Sequence, residues 1–128
     1  MMIFDSNVWI AFLNKSDTQH KKAEKIFASV DSVVVIPEYV ILEVCSVLAM
    51  RVGKKEADGF MDMIFENKDV KVVLSCPVFF MKTVGIFKDY SKGKLSFVDC
   101  ALLYFSSEYE VVTFDKCLDK AIKKTKEG

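Results

Sequence analysis

The stretch Met2–Val8 reads MIFDSNV, and it decides the fold of this chain. Its three apolar residues, Met2–Phe4, predict a short buried strand that stops at Asp5. A helical turn, Val8–Leu13, follows at once, so Asp5 lies where a strand gives way to a helix. In a parallel α/β sheet, ligands bind outside the carboxyl ends of the strands. The opening of the chain therefore predicts an α/β fold with a carboxylate at its ligand-binding edge.

Beyond this opening, strand-like and helical patterns alternate to the end of the chain. The further strand candidates are Val33–Ile36, Val70–Leu74 and Val111–Phe114. Apolar residues at helical spacing predict the helices, which begin at a capping box in Ser16–Gln19, at Pro37, before Ala57, at Pro77, at Ser96 and after Asp115. Strands separated by helices favour parallel pairing with right-handed crossovers. We therefore predict one domain over residues 1–128, a three-layer α/β/α sandwich around a parallel sheet of four strands, with a fifth strand left open as the alternative.

Composition narrows the class of protein. Of the 128 residues, 52% are hydrophobic and 28% are charged, which is typical of a globular domain. Lys plus Arg and Asp plus Glu each number 18, so the formal net charge is zero and a strongly basic nucleic-acid module is not indicated. Neither a signal peptide nor a membrane span is recognisable, and we expect a cytoplasmic protein that does not enter a membrane.

The cysteines indicate a reducing compartment. The four of them are Cys45, Cys76, Cys100 and Cys117, and no two form a C-x-x-C pair. In apolar or helical surroundings, they are expected to be small buried hydrophobic residues rather than zinc ligands or disulfide partners.

Four acids stand at positions that favour a functional site. Asp5 and Asp115 each follow a predicted strand, although an Asp there can also simply cap the next helix. Glu43 lies in a helix that is apolar nearly all round, where a carboxylate is costly unless it is paired or bound to a metal. The alternative for Glu43 is a lone salt bridge to a lysine.

Asp99 has two readings that the sequence leaves open. It lies three residues after Ser96, so it either completes a capping box or faces the same edge as the other acids. Carboxylates that are packed together repel one another unless a cation neutralises them. Because Mg²⁺ is held in proteins by a few carboxylates, waters and phosphate oxygens, the set predicts a divalent-cation site that activates water and attracts a phosphodiester.

Several other chemistries are excluded or disfavoured. The single histidine, His20, rules out a two-histidine ribonuclease, and we expect it to be a solvated helix residue. Neither a P-loop nor a G-x-S-x-G motif is present. A phosphatase of the haloacid dehalogenase type requires a second Asp where Asn7 stands, and a receiver domain requires an Asp where Ser75 and Cys76 follow the third strand.

The motifs resemble those of a PIN domain, in the same order along nearly the whole chain. The matching segments are IFDSNV at Ile3–Val8, Glu43 in the helix after the second strand, LSFVDCAL at Leu95–Leu102 and VTFD at Val112–Asp115. The size and layout look most like VapC-type ribonuclease toxins. The resemblance implies RNA cleavage with Mg²⁺ or Mn²⁺, a homodimer and often an antitoxin partner. It also implies that Asp5, Glu43, Asp99 and Asp115 bind the metal.

The resemblance assigns further roles and has departures. Asn7 matches a polar residue that supports the site, and Ser96 matches the hydroxyl that opens the helix. Many relatives carry a polar residue two positions after the last Asp, where this chain has Cys117, and it is open whether Asp119 substitutes for it. Many relatives also end in a fifth strand, for which the tail at residues 123–128 is too polar.

The predicted partners are RNA and a second copy of the chain. Lysines near the acids in sequence, Lys92, Lys94 and Lys116, are the candidates for RNA binding, without base specificity. The helices that carry Phe60, Met61, Ile64, Phe65, Phe79, Phe80, Val84, Ile86 and Phe87 have more apolar surface than one sheet face needs, which favours a homodimer. The alternative function is a catalytically inactive PIN-like module that binds RNA or protein.

Overall fold

The computed structural model describes residues 1–90 and 94–127. The elements are β1 (Met2–Phe4), α1 (Ser6–Leu13), α2 (His20–Ala28), β2 (Val34–Pro37), α3 (Glu38–Arg51), α4 (Lys54–Glu66), β3 (Val70–Val73), α5 (Pro77–Asp89), α6 (Phe97–Phe105), β4 (Glu110–Val112) and α7 (Lys116–Glu127). The order of strands and helices matches the sequence prediction.

The four strands form one parallel sheet in the order β3-β2-β1-β4. Helices cover both faces of the sheet, so the predicted three-layer α/β/α architecture is confirmed. The strand order reverses between β1 and β4, where Phe4 is in register with Val112. At such a switch point, the loops that leave neighbouring strands diverge and open a crevice at their carboxyl ends. The residues that follow β1 and β4 therefore share one crevice.

Burial of the central strands holds the sheet in place. Ile3 and Phe4 in β1, and Val35 and Ile36 in β2, are completely buried. On one face, an aromatic cluster packs on β1, with Phe4 6.0 Å from Trp9 and 4.6 Å from Phe27 between ring centroids. Strands that are buried on both faces consist of continuous apolar runs, and for this reason their positions could be predicted from the sequence.

Several element boundaries differ from the predicted ones. Helix α2 begins at His20, and the predicted capping box is absent because Asp17 instead accepts a hydrogen bond from the Gln19 N–H at 2.8 Å. Pro37 is the last residue of β2 and precedes α3 rather than lying within its first turn. The C-terminal tail forms α7, and no fifth strand is present in the residues that the structure describes.

Two predictions about single side chains were wrong. Cys76 and Cys117 are exposed and Cys45 is half-buried, so only Cys100 is the buried hydrophobic residue that was expected. His20 is not solvated: its side chain is 18% exposed and Nδ1 lies 2.8 Å from the carbonyl oxygen of Ala11, which ties α2 to α1.

Across residues 1–90 and 94–127, no helix combines the length and apolar character needed to cross a membrane.

Two glycines give opposite expectations for replacement by alanine. Gly59 lies inside α4, and a Cβ added there meets no atom within 4 Å, so Gly59→Ala should raise the free energy of unfolding by about 0.5–1 kcal/mol. Gly53, between α3 and α4, has a φ of 157°, which residues with a side chain rarely adopt. Gly53→Ala should therefore lower the free energy of unfolding by about 1–3 kcal/mol. Urea unfolding of both variants tests this, and a loss of stability in Gly59→Ala would contradict it.

Candidate active site

Asp5 lies at the carboxyl end of β1 and is almost completely buried, with 3% of its surface exposed. Its N–H donates to the carbonyl oxygen of Val112 at 2.9 Å, which continues the β1–β4 pairing by one residue. Its Oδ1 accepts the N–H of Ser6 at 2.7 Å and thereby caps α1. The capping role and the position at the ligand-binding edge therefore both hold for Asp5.

Thr113 connects the two sides of the crevice. Its Oγ1 lies 2.7 Å from Asp5 Oδ2, 3.3 Å from Asn7 Nδ2 and 3.0 Å from the backbone nitrogen of Asp115. The side-chain nitrogen of Asn7 and the backbone nitrogen of Asp115 can only donate, so both donate to the hydroxyl oxygen. A hydroxyl has one hydrogen, and that hydrogen is therefore donated to Asp5. Thr113 is a site residue that the sequence prediction missed, although it belongs to the recognised VTFD segment.

Asn7 supports the site as the resemblance implied. Its Oδ1 accepts the N–H of Phe114 at 3.1 Å, which fixes the orientation of the amide so that Nδ2 faces Thr113. One side chain of α1 thus holds the backbone of the segment after β4, immediately before Asp115.

Glu43 is directed toward Asp5 rather than toward solvent. The Oγ of Ser6 donates to Glu43 Oε1 and also lies 3.3 Å from Asp5 Oδ1. Because Ser6 has a single hydroxyl hydrogen, it bridges two carboxylates and can donate to only one of them at a time. The alternative of a lysine salt bridge is wrong for the described part of the chain, where the ion pairs involve Glu24, Asp58 and Asp119. Ser6 is the second site residue that the prediction missed.

Asp99 and Asp115 both lie at helix starts. Ser96 and Asp99 form a complete capping box at α6, with both hydrogen bonds at 3.0 Å. Asp115 Oδ1 accepts the N–H groups of Cys117 at 2.8 Å and Leu118 at 3.1 Å, at the start of α7. The capping alternatives are therefore correct for both acids, and they leave room for a second role because a carboxylate has about four acceptor positions.

The charges of the four acids repel one another. Burial raises the pKa of Asp5 from 3.8 to about 6; repulsion by Asp99 and Glu43 adds to the rise, and hydrogen bonds from Thr113 and Ser6 oppose it. Burial also raises the pKa of Asp99, and Asp115 and Glu43 contribute repulsion. Each of the four predicted acids is thus close enough to another to affect its charge.

The donor chemistry of this crevice fits a divalent cation. All candidate ligands are carboxylate oxygens, which Mg²⁺ and Mn²⁺ favour, and the repulsion among them is the conflict that a cation relieves. In residues 1–90 and 94–127, however, no three His, Cys, Asp or Glu side chains form a group that could hold a metal ion as they stand. Their oxygens are turned toward hydroxyl and amide groups. Convergence of all four acids on one cation therefore remains a prediction.

The remaining candidates are the three predicted RNA-binding lysines and Asp119. Lys94 and Lys116 are exposed, whereas Lys92 lies outside the described residues. Asp119 Oδ2 is 2.9 Å from Lys123 Nζ, so this carboxylate has a partner on α7.

Comparison with known proteins identifies relatives of the chain. The family model of the PIN domain matches residues 2–124. A crystal structure of VapC20 from Mycobacterium tuberculosis, a toxin that cleaves the sarcin–ricin loop, superposes with a TM-score of 0.85 and 22% sequence identity, over 94% of this chain and 95% of that one. At this identity the likeness concerns the fold. A comparison with curated protein sequences gives no match.

The raised pKa of Asp5 gives the metal-free protein an unusual pH dependence. Between about pH 4 and 6 the native state binds more protons than the unfolded state, so the free energy of unfolding should fall as the pH rises through that window, by up to about 3 kcal/mol. Urea unfolding in EDTA from pH 4.5 to 7.5 measures this fall, which Asp5→Asn should diminish. A fall of the same size in Asp5→Asn would refute the assignment to Asp5.

Proposed function

This chain belongs to the PIN domain family, and we propose that it is a divalent-metal-dependent ribonuclease that hydrolyses RNA phosphodiester bonds. The proposed site consists of Asp5, Glu43, Asp99 and Asp115. The observation that carries the proposal is geometric: at the β1–β4 crevice the Ser6 hydroxyl bridges the carboxylates of Asp5 and Glu43, and burial together with repulsion between the acids raises the pKa of Asp5 and of Asp99. Natural proteins rarely bury and crowd carboxylates without a compensating charge, and perturbed acids in a crevice are typical of functional sites.

The four acids would hold Mg²⁺ or Mn²⁺, which stabilises phosphate charge and lowers the pKa of an attacking water. The chain itself supplies orientation. Thr113 donates to Asp5 and fixes the plane of its carboxylate, while Ser6 keeps Glu43 beside it. Asn7 holds the segment before Asp115 in place. Such supporting hydrogen bonds orient metal-binding carboxylates and increase their affinity for the cation.

Single-stranded or looped RNA is the proposed substrate, because a strand must bend to enter a crevice at the edge of a sheet. Lys94 and Lys116 are exposed and lie near Asp99 and Asp115 in sequence, and they would offset the repulsion between carboxylates and phosphates. The alternative is a catalytically inactive module that binds RNA or protein. The presence of all four acids argues against it, and stabilisation of the fold by Mn²⁺ distinguishes the two.

We further propose that the chain is the toxin of a toxin–antitoxin pair, as the toxin VapC20 suggests. A groove of about 940 Å³ lies at the amino ends of β2 and β3, far from the acids. Trp9, Phe27 and Phe60 line it, and Asp31, Glu56 and Asp69 give it an acidic wall. An apolar segment of an antitoxin, flanked by basic residues, matches this surface in both respects.

A homodimer through α5 is also proposed. Of the aromatic residues that favoured a dimer, Phe60 and Phe79 lie in the core, whereas Phe80 and Phe87 are 44% and 47% exposed. Val78 and Met81 of the same helix are exposed as well. Phe80 and Phe87 are seven residues apart and share one side of α5, whereas Val78 and Met81 lie on another side. Large exposed apolar side chains such as this phenylalanine pair are typical of an interface.

Replacement of Asp5 by Asn tests the ribonuclease. The amide keeps the shape of the side chain and can still cap α1, but it removes a charge that holds the cation, so cleavage should fall by at least about 10²–10³-fold while the fold persists. The assay follows a labelled single-stranded RNA with Mg²⁺, with Mn²⁺ and with EDTA. Asp58→Asn, which removes a charge paired with Lys54 on α4, is the control and should cleave normally. Full activity in EDTA, or in Asp5→Asn, would show that the metal-nuclease proposal is wrong.

Sedimentation velocity tests both proposed protein contacts. At micromolar concentration the chain should sediment as a dimer, and Phe80→Glu with Phe87→Glu should yield monomers because charge is placed in the apolar face.

Co-expression with the product of a short reading frame next to its gene should give a heavier complex, which Gly59→Trp in the groove should prevent. Monomers of the unmodified chain contradict the dimer, and an unaffected complex in Gly59→Trp contradicts the groove as the binding site.

A further inference from the structure

Lys22 of α2 lies beside the segment that carries the last acid. Its Nζ is 5.0 Å from the centroid of the Phe114 ring, within the range of a cation–π interaction. Phe114 stands between Thr113 and Asp115, and its N–H is held by Asn7 at 3.1 Å. The hydrogen bond from Asn7 that orders this segment therefore also positions the backbone that carries the ring under Lys22. An exposed lysine, which otherwise samples many rotamers, is localised at the edge of the crevice.

The charge of Lys22 has no acidic partner in the described part of the chain. Lys22 is exposed, and the ion pairs there use His20, Lys54 and Lys123. A face of a ring attracts an ammonium without neutralising it, so the cation retains its capacity to bind an anion. Because Phe114 directly precedes Asp115, this localised cation lies beside the segment that carries the last acid, and in a protein of zero net charge it offers a polyanion a local attraction there.

We propose that Lys22, positioned by Phe114, binds a phosphate of single-stranded RNA beside the acid site; this rests on the proposed ribonuclease function. Lys22 belongs to α2 and contacts the ring of Phe114, although it is remote from the acids in sequence. Proximity in sequence identifies Lys116, the first residue of α7, but does not identify Lys22. Lys22 is a binding residue and Phe114 a positioning residue. Neither is proposed to take part in the chemical step, so their loss should affect RNA affinity and KM rather than kcat.

Lys22→Gln and Lys55→Gln form a matched pair for the test. Both lysines are exposed, both lie outside the ion pairs of the described residues, and each substitution removes one charge. Lys55 is the second residue of α4 and precedes Glu56, which lines the groove at the other end of the sheet. Lys22→Arg keeps the charge and the cation–π contact, and Phe114→Leu removes the ring but keeps an apolar side chain.

Affinity is measured by fluorescence anisotropy with a labelled oligoribonucleotide over a range of salt concentrations, in the Asp5→Asn background so that the RNA stays intact. Lys22→Gln should raise Kd about 3–10-fold and reduce the slope of log affinity against log salt by about 0.7, the contribution of one phosphate contact on a single strand. Lys55→Gln and Lys22→Arg should match the parent, and Phe114→Leu should fall between. In proteins with Asp5 intact, Lys22→Gln should raise KM and leave kcat within about twofold.

The outcomes separate this inference from the proposed function. Equal Kd and equal salt slope for Lys22→Gln and Lys55→Gln would overturn the role of Lys22, while cleavage by the unmodified chain would still support the ribonuclease. Loss of affinity in Lys22→Gln without any cleavage by the unmodified chain would uphold the RNA contact and refute the ribonuclease. Absence of RNA binding by the parent at low salt would overturn the inference outright.

Discussion

The hydrogen bond from Thr113 Oγ1 to Asp5 Oδ2, at 2.7 Å, joins the ends of β1 and β4, and the rest of the candidate site depends on it. Backbone pairing brings Thr113 opposite Asp5, and the hydrogen bond from the Thr113 hydroxyl orients the Asp5 carboxylate. Because Thr113 accepts from Asn7 and from the N–H of Asp115, its only hydrogen is committed to the carboxylate. The orientation of Asp5, the path of the chain toward Asp115 and the position of the Phe114 ring are thereby fixed by one shared set of bonds.

This arrangement sets burial against hydrogen bonding at Asp5. Burial disfavours the charged form, whereas the bonds from Ser6 and Thr113 favour it, and the pKa settles at about 6. Asp5 therefore lies close to the point where a small change in its surroundings decides whether it carries a proton or a charge. A divalent cation is such a change, because it favours the ionised form. The stability of the metal-free state and the affinity for a cation are coupled through this residue.

The fold was predictable because its signals are local. Apolar runs such as Met2–Phe4 predict buried strands, and the position of an acid directly after a strand can be identified from the sequence alone. The bridging role of the Ser6 hydroxyl was not predictable, because its contact with Glu43 depends on how α1 packs against α3. The local sequence pattern of a residue does not indicate which residues of other elements it will contact. The cysteines failed for a related reason: residue type alone suggested burial, but Cys117 lies on the exposed side of the first turn of α7.

Three of the four acids, Asp5, Asp99 and Asp115, lie in the first turn or at the cap of a helix, where backbone N–H groups and the helix dipole stabilise negative charge without any metal. Glu43 is different because it lies within α3 and, among the residues that the structure describes, accepts a hydrogen bond only from the hydroxyl of Ser6. Helix starts can therefore keep three carboxylates near one crevice in the metal-free protein, whereas Glu43 has the least compensation for its charge. A bound cation would therefore interact most favourably with Glu43, since that carboxylate would lose the fewest hydrogen bonds on turning toward a metal. The helix starts thus stabilise three of the four carboxylates without a metal, and Glu43 is the acid whose charge a bound cation would compensate most.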